Sequence, residues 1–213
     1  MPNQNLKAKV YEVLRDRIVY LEYEPGTALE EKALCQEFGV SRTPLKEALL
    51  ELKSQGLVKI YPRSGTYVAP IDILELKDLY VVKRSLEGLA AELAALRISA
   101  SDLRKLESLL SRLSEPHPDR TLRELVRIDQ DFHYTLHLAS MNQPLTQMLE
   151  NIHYRCLRRW FHFIDRIPEL QEPVVANLPE VLDALKRRQP AQARAAMEKH
   201  VSSFIAAFSK ILN

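Results

Sequence analysis

Residues 30–58, EEKALCQEFGVSRTPLKEALLELKSQGLV, restrict the fold of this chain more than any other stretch. Leu29, Ala33 and Leu34 have the spacing of one apolar helical face. Phe38-Gly39-Val40 makes a corner, and Ser41 stands at the N-cap of a second helix that turns Leu45, Ala48, Leu49 and Leu52 inward. Two short helices joined by so tight a turn have helix-turn-helix geometry. The outward side of the second helix shows Arg42, Thr43, Lys46 and Lys53, donors suited to phosphates and base edges in a major groove. Helical corners also occur in proteins that never meet DNA, so the flanking residues decide. After Gly56, Leu57–Tyr61 and Thr66–Val68 are two short β-like runs around the turn Pro62-Arg63-Ser64-Gly65. A hairpin with a basic tip in that place is the wing of a winged helix. Upstream, Val10, Leu14, Ile18 and Leu21 predict a first helix over Leu6–Leu21, ended by Glu24-Pro25-Gly26.

The run from Lys7 to Ala69, with PGTALEEKALCQEFGVSRTPLKEALLELKSQGLV and RSGTYV at its centre, resembles the DNA-binding domain of the GntR family of bacterial transcriptional regulators. The resemblance implies DNA contacts from the start of helix two, the recognition helix and the wing, at Lys32, Ser41, Arg42, Thr43, Lys46, Arg63 and Gly65. Lysine stands at 32 and 46 where many relatives have arginine. A lysine holds a phosphate as a point charge but cannot make the bidentate contact of arginine to guanine. Arg42 is therefore expected to read a base, and the lysines to position the backbone.

The net charge of +2 does not itself argue for nucleic acid, because charge is arranged locally. From Arg42 to Arg63 five basic side chains face only Glu47 and Glu51, whereas Glu22, Glu24, Glu30, Glu31 and Glu37 lie upstream. One face can dock on phosphates with salt-sensitive affinity. No apolar run approaches membrane-spanning length and MPNQNLKAK has no signal-peptide core, so a cytoplasmic protein is expected, with no membrane partner. Cys35 and Cys156 have neither CxxC nor paired spacing and read as core thiols.

Past a linker over 68–71 the pattern is helical only. Helices are expected from Asp72 to Arg97, from Ser99 to Ser114, and over 120–141, 145–166, 178–189 and 190–212, with Asp72/Glu75 and Ser99/Asp102 as capping pairs. Pro116-His117-Pro118 and the stretch Pro168 to Pro173 are loops. The fold class is thus mainly α: a winged helix-turn-helix over 1–69, then an all-α bundle of six helices over 70–213. Nothing suggests a nucleotide-binding loop.

Some polar residues of the bundle fall on apolar stripes. Asp129 and His133 lie among Leu122, Leu125, Phe132, Leu136 and Ala139, and His200 lies among Ala193, Ala196, Met197, Phe204 and Ile211. Ionisable groups aimed at a core need one another, a metal or a polar ligand. Here IDQDFHYTLHLASMN and LDALKRRQPAQARAAMEKHV resemble the FCD effector domain of the FadR subfamily, extending the likeness over nearly the whole chain. Many such domains hold a divalent metal through one Asp and three His, and the metal chelates a carboxylate effector. The resemblance implies Asp129, His133 and His200 as ligands of Zn²⁺ or Ni²⁺; the fourth histidine falls at Leu178. Three readings of that gap stand: water completes a three-ligand site, His153 compensates, or Asp129 and His133 pair without metal.

Lys83, on an inward stripe with Leu76, Leu79, Leu86 and Ala90, either neutralises an effector carboxylate or bridges to Glu87. His162 shares a face with Arg155, Arg158, Arg159 and Arg166 that reads as solvated, and His137 is at the edge of the Asp129 stripe. Together these features predict a non-enzymatic regulator that binds a pseudo-palindromic double-stranded operator as a homodimer, with a small organic acid as effector. Repression relieved by ligand is the commoner mode in such proteins. The rival readings are a metal-dependent enzyme on the bundle and a regulator whose effector site has decayed.

Overall fold

The computed structural model describes residues 2–114, 122–164, 175 and 177–209. Pro116-His117-Pro118, Arg166 and the stretch 168–173 lie outside them, as do the side chains of Leu122, Phe204 and Ile211. The chain divides into two compact units, residues 1–73 with 151–166, and residues 74–150 with 167–213.

In the first unit α1 (Pro2–Val19) packs on α3 (Arg42–Ser54), with α2 (Glu31–Phe38) between them in sequence. Val10, Leu14 and Ile18 of α1 and Leu45, Ala48, Leu49 and Leu52 of α3 are all buried, as their spacing requires. Each large side chain so buried contributes roughly 1.5–3 kcal/mol. The helix α1 ends two residues before the expected Leu21, which takes a positive φ of 60°. Gly39 closes α2 in the left-handed conformation, φ 63°, and the Val40 amide donates to Cys35 O at 3.1 Å, so the corner needs a residue without a Cβ.

Three antiparallel strands complete this unit in the order β1 (Ala28–Leu29), β3 (Gly65–Val68), β2 (Val58–Tyr61). The register sets Val58 opposite Val68, Tyr61 opposite Gly65, and Leu29 opposite Thr66. Strand β1 was not foreseen: Leu29 belongs to it rather than to a helical face, and Ala33 is exposed. Two residues carry no readable alternation, so only pairing with β3 reveals such a strand.

The first unit also takes in the second part of α7 (Gln143–Ile164), which differs from the expected bundle over 70–213. Tyr20 and Phe161 meet with ring centroids 5.0 Å apart, and Arg15 Nη1 donates to the Tyr154 hydroxyl at 3.2 Å. Arg158, 3% exposed, donates to Leu57 O at 3.3 Å and Pro70 O at 3.1 Å. Arg159 is equally buried, so this face of α7 is not the solvated basic surface expected. Burial, reinforced by the like charges of Arg159 and Arg155, pushes the Arg158 guanidinium down to about 10, leaving it cationic at neutral pH.

Among its described residues the second unit has helices joined by turns and no strand: α4 (Ile73–Arg97), α5 (Ala100–Ser114), α6 (Leu122–Ala139), the start of α7, α8 (Leu178–Lys186) and α9 (Pro190–Ser209). These match the six expected helices closely. Ser99 caps α5 as its spacing to Asp102 requires, since the Asp102 amide donates to Ser99 Oγ at 3.1 Å. Ala90, Ala91, Ala94 and Ala95 give α4 a small buried face, while Phe132, Leu136, Val181, Leu185, Ala193 and Met197 fill the core around it. No described helix is long and apolar enough to cross a membrane.

Candidate functional site

Two constellations stand out, one in each unit. In the first, Lys32, Ser41, Arg42, Thr43, Lys46, Arg63 and Gly65 are all exposed. Ser41 occupies the N-cap of α3 in extended conformation but makes no side-chain cap hydrogen bond. Its hydroxyl and the first amides of α3 are thus not engaged in a side-chain cap, and the positive end of the helix dipole suits a phosphate. At the wing, the Ser64 amide donates to Tyr61 O at 3.1 Å, which places Pro62 and Arg63 at the two central turn positions. Arg63 takes φ 65° and Gly65 φ 121°. A left-handed arginine costs about 1–2 kcal/mol, a cost that places its guanidinium at the exposed tip.

In the second unit, α6 and α9 bring together residues far apart in sequence. Nε2 of His133 lies 3.2 Å from Nε2 of His200, which lies 3.2 Å from Oδ1 of Asp129; the remaining side of the triangle, His133 to Asp129, is 3.6 Å. The histidines are buried, and the Asp129 side chain is 22% exposed. Asp129 Oδ1 is itself buried and receives no well-directed hydrogen bond. Burial alone would raise the Asp129 carboxyl, but His133 and His200 hold it below its ordinary range. Burial lowers His133 despite the opposing pull of Glu87 and Asp129, so a neutral ring faces an ionised carboxylate.

Two ring nitrogens and a carboxylate oxygen therefore converge on one point. Two ligand atoms each ~2.1 Å from a shared ion and separated by tetrahedral or octahedral angles lie roughly 3.0–3.4 Å apart, and two of the three sides fall in that interval. The donor set of two imidazoles and a carboxylate suits Zn²⁺ or Ni²⁺.

A second cluster shares His133. Glu87 of α4 is 1% exposed; its Oε2 lies 2.9 Å from Nδ1 of His133 and 2.8 Å from Nε2 of His137, while its Oε1 accepts from Lys83. Burial alone would raise this carboxyl, but His133, His137 and Lys83 hold it well below the carboxylate range.

Residues 6–68 match the family model described as bacterial regulatory proteins, gntR family, and residues 78–203 match the FCD domain. The chain belongs to the FCD-domain branch of the GntR family of transcriptional regulators. It is 28% identical over 200 residues to the HTH-type transcriptional repressor RspR of Escherichia coli, covering 94% of this chain and 87% of that protein. It is 25% identical to the E. coli regulator McbR over 88% of this chain and 86% of that one. The solved structure of E. coli McbR/YncC superposes with a TM-score of 0.82 over 98% of this chain and 99% of that chain, at 24% identity, a likeness of fold.

These relatives of the GntR-family chain are regulators and not enzymes, which removes the reading of a metal-dependent enzyme. Within its FCD domain the structure brings Asp129, His133 and His200 together, as the resemblance implied. His153 is half-buried, falls in the first unit and belongs to neither ligand group. Leu178, where the fourth histidine would stand, is fully buried at the start of α8. Of the two roles open to Lys83, the structure shows the bridge to Glu87. The bridge from Lys83 to Glu87 was one of the two expected roles, but no spacing joined Glu87 to His133 and His137. The inward stripe holding Lys83 was the available signal.

Proposed function

We propose that this GntR-family chain is a cytoplasmic, effector-responsive repressor that binds a pseudo-palindromic operator as a homodimer. A small organic acid, chelated to a divalent metal at Asp129, His133 and His200, acts as its effector. The observation that carries the reading is the convergence of Asp129 Oδ1, His133 Nε2 and His200 Nε2 at 3.2–3.6 Å inside the FCD domain. A bound ion would supply a Lewis acid, and three protein ligands leave coordination positions open to an acid's carboxylate. An acid reaching Lys83 would have to compete with Glu87 for its ammonium.

In the winged unit Arg42 reads a base edge, Lys32 and Lys46 hold phosphates, Ser41 and Thr43 add short donors, and Arg63 enters beside Gly65 at the wing. Tyr134, Leu138 and Met141, spaced as one face along α6 and just past it, are 48%, 51% and 74% exposed. Such an apolar face suits a second copy of the chain. Repression is the mode named for RspR. The effector can change operator affinity only by binding the DNA-competent and incompetent arrangements unequally.

A thermal-shift screen of dicarboxylic and hydroxy acids on the full chain, with and without Zn²⁺ or Ni²⁺, tests this. Stabilisation by an acid should require the metal and vanish in His200→Ala. Acids that stabilise equally without metal, or no acid that stabilises at all, would remove the proposed effector site.

A further inference from the structure

We infer that Glu87 is the positioning residue of the candidate metal site: it holds His133 as the Nδ1–H tautomer so that the bare Nε2 faces Asp129 and His200. This rests on the metal reading above and deepens it. Nδ1 of His133 lies 2.9 Å from Glu87 Oε2 without the alignment of a well-directed hydrogen bond, but a bare ring nitrogen that close to an ionised carboxylate would set two lone pairs against each other, which favours the proton on Nδ1. Glu87 approaches that nitrogen from α4. A neutral imidazole protonated at Nδ1 has its single lone pair at Nε2, the atom 3.2 Å from His200 Nε2 and 3.6 Å from Asp129 Oδ1. Outer carboxylates that orient ligating histidines in this way also raise the basicity of the ligating nitrogen.

The atoms of Glu87, His133 and His137 are close enough to suggest a second cation site. Lys83 argues otherwise. Its ammonium already bonds Glu87 Oε1, and the two histidines occupy Oε2, so an ion there would sit against one positive charge and two N–H donors. The same three donors explain how a fully buried carboxylate stays ionised and fixed in place. Glu87 thus serves the ion at Asp129, His133 and His200 without touching it.

The experiment uses the full chain as wild type, Glu87→Gln and the charge-balanced double variant Lys83→Met/Glu87→Gln. Ring-nitrogen NMR of the metal-free wild type should show His133 protonated at Nδ1 and bare at Nε2. Both folded variants should lose that single tautomer and bind Zn²⁺ about 10- to 100-fold more weakly. A proton on Nε2 in the wild type, which can be read even if neither variant folds, overturns the inference. So does a folded variant whose Zn²⁺ affinity stays within about twofold of wild type, and in that case the metal reading survives. A wild type that binds no Zn²⁺ overturns both.

Discussion

Leu178→His places an imidazole where the FCD pattern has its fourth ligand. Leu178 is 0% exposed at the first position of α8, directly before Pro179. Without metal the exchange removes a packed side chain and buries a polar ring that lacks an assured partner, a loss of about 1–3 kcal/mol. For a chain of this length each kcal/mol corresponds to roughly 2–4 °C in melting temperature, so the metal-free variant should melt clearly below wild type. With Zn²⁺ the order reverses in part. A fourth ligand that tightens binding tenfold is worth about 1.4 kcal/mol, which adds roughly 3–6 °C to the zinc-induced rise. Differential scanning fluorimetry at several zinc concentrations, together with a direct zinc titration, reads both effects. If the folded variant gains no more from zinc than wild type does, residue 178 does not complete the site, and the alignment of this chain with four-ligand relatives is wrong there.

At the wing, Arg63→Gly should relieve the left-handed strain and stabilise the chain by about 0.5–1 kcal/mol in urea denaturation, while operator affinity falls in a gel-shift assay; a destabilised variant would contradict the turn geometry. Arg42→Ala should cost about 1–3 kcal/mol of operator affinity and relax discrimination at one base pair. Lys46→Ala should weaken all sequences alike and lower the salt slope by about 1. Equal effects of the two changes would cancel the division of labour between them. Metal-free stability should fall on acidification. The fold favours neutral His133, whose pKa lies below its ordinary 6.5, so stability is lost as pH drops below that value towards the folded pKa. Glu87 and Asp129, both lowered, contribute stability above their ordinary carboxylate values that disappears as pH falls through their folded ones. Urea denaturation across pH 7 to 4 checks the sign, and a rise in stability over that range would contradict it.

Local periodicity made much of this molecule legible. The buried face of α3, the corner at Gly39, the Ser99 cap and the i, i+4 pair of Asp129 and His133 each depend on residues within a turn or two of one another. His200 is 67 residues beyond His133, yet its own stripe aimed it inward, and the packing of the helices did the rest. What escaped notice depends on partners that no spacing encodes. Strand β1 exists through its register with β3. Arg158 is buried because it donates to the carbonyls of Leu57 and Pro70, and a guanidinium bound to main-chain oxygen has the same sequence appearance as one in water. The spacing of Glu87 offered only a bridge to Lys83, although His133 and His137 lie against its other oxygen.

Metal content of the purified full chain tests the central claim most directly. After loading with Zn²⁺ or Ni²⁺ and exhaustive dialysis, wild type should retain one ion per chain. His200→Ala, folded by its melting curve, should retain little or none. A wild type that retains no stoichiometric metal, or a His200→Ala chain that retains as much as wild type, would contradict the assignment of Asp129, His133 and His200 as the site that governs this regulator.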